Sequence, residues 1–228
     1  MSARKKYLAS GIVLIASFIA VLVAIFMPLL DGHNSLEFLD NLYNSISKGS
    51  AYYVPDCQEK VAALGDASIS AEVGMKDADQ AAQTAAMLTS LGVTATASAE
   101  KLSLEGPVAK PFDAVLADAD LMYKNDGDAL KQKYNIEAKQ AMYNWWSLMS
   151  ALSKTLLKQD NIREGNVADS IVKRAIEPAY NFYGIQAEKI STKWMLLAAS
   201  LAFYVLYTVW YGFGLLFLFE GVGFQLDH

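Results

Sequence analysis

Two long stretches without a charged side chain bracket this chain, Tyr7 to Leu30 (YLASGIVLIASFIAVLVAIFMPLL) and Trp194 to Phe219 (WMLLAASLAFYVLYTVWYGFGLLFLF). A helix of about 20 apolar residues covers the roughly 30 Å of hydrocarbon in a bilayer, so both stretches read as transmembrane helices, at 7–30 and 194–219. A cleaved signal peptide would have a shorter apolar core followed by a small-x-small site. Here Pro28, Leu29, Leu30 and Asp31 follow instead, which reads as an uncleaved anchor.

Orientation is expected from the basic residues beside the first span. Arg4, Lys5 and Lys6 precede it, whereas Asp31, Glu37 and Asp40 follow it, so the positive-inside rule keeps the N-terminal tail, 1–6, in the cytoplasm. The second span then returns a tail, 220–228, to the same side, although Lys189 and Lys193 lie at its outer end and Glu220 and Asp227 at its inner end. The location read from this is a bacterial-type inner membrane, with 31–193 exported. That exported segment holds 22 of the 24 acidic residues and 16 of the 19 basic ones, a balance that argues against nucleic acid as a partner. Cys57 is the only cysteine, so no disulfide forms within the chain, and a lone buried thiol is the expected state.

Within the exported segment the hydrophobic period changes twice. Asn34 and Glu37 have capping-box spacing ahead of Leu36, Leu39, Tyr43 and Ile46, which predicts a short helix beside the membrane; a second is expected around Cys57 to Leu64, ending at Gly65. From 67 to 106 the pattern is β-α-β-β. Ile69, Ala71 and Val73 alternate with polar residues, Asp77 and Gln80 cap a helix that Gly92 closes, and VTATASAEKLSLEG alternates again about a turn at Ala99 and Glu100. So small a sheet under one helix buries little, and further helices are expected on its second face or edge.

Pro111 suits the first turn of the next helix. Over about 135–192 the strongest pattern is Ala138, Met142, Trp145, Met149, Leu152 and Leu156, a heptad seam, followed by a weaker stripe at Ile171, Ala175, Ala179, Phe182 and Gln186. The two predict an antiparallel helical hairpin. Pro178 is expected to kink its second arm without stopping it, so that one bent helix runs on into the second span. The fold class is therefore an α+β membrane protein: two spans flank an exported domain made of a small β-α-β-β unit and a long hairpin continuous with the second span.

Chemistry finds little to work with. The two histidines, His33 and His228, supply neither a triad nor a multi-histidine metal site. The acidic run with Asp118, Asp120, Asp126 and Asp128 fails the calcium-loop register, because Gly127 at position six puts Lys124 at position three; it reads as a solvated helix end. A single Gly74 does not make a phosphate loop. No cofactor, metal or catalytic residue is expected, and the chain does not read as an enzyme. Trp146, about 100° round the helix from Trp145, is free to cover the β-α-β-β unit or a partner.

The informative surface is then the second span. Ser200, Tyr204, Tyr207, Thr208 and Tyr211 line one side of it, and hydroxyls inside hydrocarbon seek partners. Ala16, Ala20 and Ala24 form a small-residue strip that Ala198 and Ala202 match, so the spans are expected to pair through alanines and leave the tyrosines for something else. The function expected is a non-catalytic structural or accessory membrane subunit, assembling as a homo-oligomer or within a larger complex. Its partners are the lipid bilayer and other membrane subunits or copies of itself. The alternatives are a two-span oligomeric channel or transport component, with no charge inside either span, and a sensor whose short tails would require a partner.

Overall fold

The computed structural model describes residues 3–30 and 32–224; Asp31, Asp227 and His228 lie outside the described residues. The protein is mixed α+β with a three-stranded sheet, and divides into two compact units, one of 1–46 with 187–228 and one of 47–186.

The first unit is built on two helices long and apolar enough to cross a membrane, α1 (Ala3–Phe26) and α10 (Ile190–Val222). Between them in sequence comes α2 (Ser35–Ser50), whose start is fixed by reciprocal bonds: the Glu37 amide donates to Asn34 Oδ1 at 2.9 Å and the Asn34 amide to Glu37 Oε2 at 3.3 Å. This is the capping box that the spacing predicts.

The second unit starts with α3 (Val54–Ala62), then β1 (Ser68–Gly74), α4 (Ala78–Ser90), β2 (Thr94–Ser98) and β3 (Lys101–Pro107). The sheet order is β1-β3-β2, antiparallel throughout, with Ala71 opposite Leu104 and Thr96 opposite Ser103. Ala99, at φ 51°, makes the tight turn between β2 and β3. Ile69, Ala71, Val73, Leu102 and Leu104 point into the core. Their neighbours Ser70, Glu72, Ser103 and Glu105 stay exposed, as do Thr94 and Thr96 on β2. Among the described residues no helix covers that polar face; of the two places expected for a further helix, α7 (Ala138–Lys158) takes the one at the edge strand β1. The sheet solves its burial problem on one side: α4 and α7 pack side by side on the apolar face, and strict alternation leaves the other face to water.

The remaining helices are α5 (Ala109–Tyr123), α6 (Gly127–Tyr134), α8 (Ile162–Ile171) and α9 (Glu177–Asn181), with one π-helical turn at Val172–Ile176. α7 packs antiparallel on α8, and its Met142, Trp145, Met149, Leu152 and Leu156 are fully buried. These side chains serve more than a hairpin. The same core holds Phe112 and Leu116 of α5 and Leu130 of α6.

The second arm of the hairpin does not continue into α10. Helix stops at Asn181, and 182–189 is irregular before Ile190. Pro178 alone is tolerated, because it falls in the first turn of α9 just after the π turn. The irregular stretch includes Gly184, in the left-handed region at φ 86°, and two carbonyls that lie outside any helix. Those of Phe182 and Ile185 accept the Lys48 ammonium at 3.0 and 2.7 Å.

Candidate functional site

On α10 the expected polar face splits into three environments. Tyr207 turns towards α1: its ring stacks on Phe18 at 4.2 Å and its hydroxyl donates to the Phe18 carbonyl at 3.2 Å. The Ser200 hydroxyl is committed to the Leu197 carbonyl, so the Tyr43 hydroxyl of α2 is the donor in the 2.8 Å bond to Ser200. Thr208 donates to the Tyr204 carbonyl one turn back. Only Tyr204 and Tyr211 keep an exposed ring with a hydroxyl that has no acceptor among the described residues, and Tyr211 also leans on Phe18 at 5.1 Å.

The two long helices pair through glycines, a correction to the alanine strip. A Cβ on Gly11 would lie 2.6 Å from the Leu218 backbone nitrogen, one on Gly214 2.7 Å from Ile15, and one on Gly221 2.6 Å from the Leu8 backbone. Ala16, Ala20, Ala198 and Ala202 are exposed and Ala24 is half-buried. The physical reason is distance: with no Cβ, glycine lets the backbones approach closer than alanine does, and that gain outweighs its cost of about 1 kcal/mol in a helix interior. Gly214 and Gly221 are one heptad apart, and Tyr207 and Ser200 continue the same row.

Three constellations in the 47–186 unit carry unusual chemistry. The first is Asp118, fully buried, which accepts from Lys133 Nζ at 2.6 Å, the Tyr134 hydroxyl at 2.6 Å and Trp145 Nε1 at 2.8 Å. The solvated reading of the acidic run fails here, and its other members part ways. Asp120 takes Lys124 and Tyr52, and Asp126 caps α6. Burial and the Asp118 carboxylate raise the pKa of the Tyr134 phenol; burial first and Asp120 second raise that of Tyr52 to about 12.

The second is Lys48. It is buried, and its ammonium meets neutral acceptors, Asn125 Oδ1 at 2.9 Å and the carbonyls of Phe182 and Ile185, while its own carbonyl takes the Tyr123 hydroxyl. Desolvation lowers its pKa. Lys48→Met removes three charge-assisted bonds, although each acceptor keeps one donor, the Gly184 amide on Asn125 Oδ1, Asn125 Nδ2 on the Ile185 carbonyl and the Ile185 amide on the Phe182 carbonyl. The loss is about 1–3 kcal/mol and is expected to speed amide exchange over 182–186. The sign of its pH dependence follows from the lowered pKa. The unfolded chain binds the proton more tightly, so wild type gains stability relative to Lys48→Met as pH rises towards 10.5, and parallel denaturation series of the two proteins measure this.

The third is a cleft of about 320 Å³ lined by Tyr143 and Trp146 of α7, Ile176 of the π turn, and Glu177, Tyr180 and Asn181 of α9. Trp146 neither covers the sheet nor sinks into the core. Its indole donates to Glu177 Oε1 at 3.2 Å, and its ring lies nearly parallel to Tyr143, 5.9 Å between centroids and 14° between planes. The sequence contains the signal, since Tyr143 and Trp146 are three apart on a side of α7 that flanks its heptad seam.

His33 Nδ1 lies 3.1 Å from Glu37 Oε2 on the exposed start of α2. Cys57 is a buried free thiol beside the Ser170 carbonyl, and burial raises its pKa, so it is a packing residue with little thiolate.

No family model, no curated protein and no solved structure matches the chain.

Proposed function

We propose that the chain is a non-catalytic integral membrane protein, a structural or accessory subunit that joins copies of itself or other membrane subunits. In this reading α1 and α10 cross a bacterial-type inner membrane, both tails are cytoplasmic, and the 47–186 unit is exported. The charges of Arg4, Lys5 and Lys6 support the orientation.

The observation that carries the assembly claim is Tyr211. The antiparallel contacts Leu8–Gly221, Gly11–Leu218 and Ile15–Gly214 set the apolar stretch 7–26 of α1 alongside roughly 203–222 of α10. The midplane of the pair then falls within about one turn of Tyr211, while Tyr204 lies near one edge, where its hydroxyl reaches water. Tyr211 has no such escape. Its hydroxyl lacks an acceptor among the described residues, and helical bonding occupies the nearby backbone carbonyls. A second protein chain supplies the acceptor.

The test is Tyr211→Phe, which removes one oxygen and keeps the ring. Expected is a roughly three- to tenfold weaker association in lipid nanodiscs, measured by dilution and subunit counting, with insertion unchanged. Unchanged association removes the hydroxyl from the interface. A second reading, a ligand sensor acting through a partner, is favoured by one observation, the aromatic cleft of α7 and α9.

A further inference from the structure

We infer that the cleft between α7 and α9 is a binding site for an organic cation, an alkylated ammonium group such as a quaternary amine. The inference does not depend on the assembly reading. Three aromatic side chains, Tyr143, Trp146 and Tyr180, wall the cleft while staying more than a third exposed. Aromatic surface of that size is normally buried or used, and its electron-rich faces attract cations.

Among the described residues the one charged group lining the cleft is a carboxylate. Glu177 is half-buried, and its single hydrogen bond among the described residues is the one from Trp146 to Oε1. Oε2 accepts no hydrogen bond among the described residues, and the indole holds the carboxylate in place while its own ring serves as wall. One of these rings already holds a cation: the Lys139 ammonium lies over the Tyr180 ring, 5.7 Å from its centroid. Lys139 is exposed and can be displaced by a better cation. The volume suits a small ligand, since about 300 Å³ is the lower end of ligand pockets.

A neutral sugar is the rival occupant, because stacked rings with Glu177 and Asn181 also suit hydroxyls. Charge separates the two. A sugar gains little from the negative charge of Glu177, whereas a quaternary ammonium, which donates no hydrogen bond, gains from the charge and the ring faces together.

The experiment is calorimetric titration of the full chain in nanodiscs of phosphatidylglycerol and phosphatidylethanolamine, which carry no choline headgroup. The probes are choline, its uncharged isostere 3,3-dimethylbutan-1-ol, and maltose. Choline is expected to bind at least roughly tenfold more tightly than the isostere, and maltose not to bind. Glu177→Gln is expected to weaken choline roughly fivefold or more and Trp146→Leu at least as much, while Lys139→Ala tightens it by freeing the Tyr180 face. A thermal melt within error of wild type for Glu177→Gln separates lost binding from lost folding. Equal affinity for choline and the isostere overturns the proposal, as do binding of maltose in preference to choline, an undiminished Glu177→Gln variant, or no choline heat up to millimolar concentration.

Discussion

Replacing Asp118 with alanine is expected to destabilise the 47–186 unit by about 3–5 kcal/mol, a large part of the 5–15 kcal/mol that holds an ordinary domain together. Burying a carboxylate costs several kcal/mol, and the fold offsets that cost with one ammonium, one phenol and one indole, each within 2.8 Å. Alanine removes the common acceptor from all three. Lys133 can turn to water, since a third of its side chain is exposed, but the indole of the fully buried Trp145 cannot. The penalty is therefore that of orphaned donors plus a cavity, in the same place where the heptad seam of α7 meets α5 and α6. A fall in melting temperature of roughly 10–20 °C, followed by near-ultraviolet circular dichroism, is the expected reading. Asp118→Asn keeps the shape and one acceptor, so it should lose less. A fall of under about 1 kcal/mol for Asp118→Ala would mean that the network is dispensable.

Gly11→Leu is the second large effect, and it acts on the helix pair. Even a Cβ at this position lies 2.6 Å from the Leu218 backbone nitrogen, and no rotamer relieves a backbone clash. The helices must separate or slide, and Phe18 then leaves Tyr207. Spin labels at Ile12 and Phe213, both about half exposed, report the separation without touching the seam. Wild type is expected to give one narrow distance distribution by double electron–electron resonance, and Gly11→Leu a longer and broader one. Ala16→Leu, on the exposed strip, should leave the distribution as it is. If the two variants behave alike, the glycine seam does not set the pairing.

That contrast shows where the sequence was and was not legible. Both long apolar helices, the capping box at Asn34 and Glu37, the alternation of β1, and the turn at Ala99 and Glu100 are local patterns, and local physics places them. Choosing between an alanine strip and a glycine row is different. Both permit close approach, and only the register between two segments some 200 residues apart in sequence selects one. Asp118 did leave a trace: it falls between Val115 and Met122 on a helix face that otherwise reads Phe112, Leu116 and Ala119, so a carboxylate lay inside an apolar stripe. Treating its neighbours as one acidic run hid that. The break between α9 and α10 had no comparable trace beyond Gly184, because the Phe182 and Ile185 carbonyls there are held by Lys48, more than 130 residues earlier. Trp146 illustrates an intermediate case. Its helical phase excluded it from the core, but its partner Glu177 sits on another helix.

These features bear on function through one claim, that the chain works in company within a membrane. The direct measurement is extraction from the native membrane into polymer-bounded nanodiscs without detergent, followed by single-particle mass determination. The account predicts particles that hold two or more copies, or one copy with another membrane protein, and that persist on dilution. Particles that each hold a single copy and no other protein, at native expression level, would contradict it.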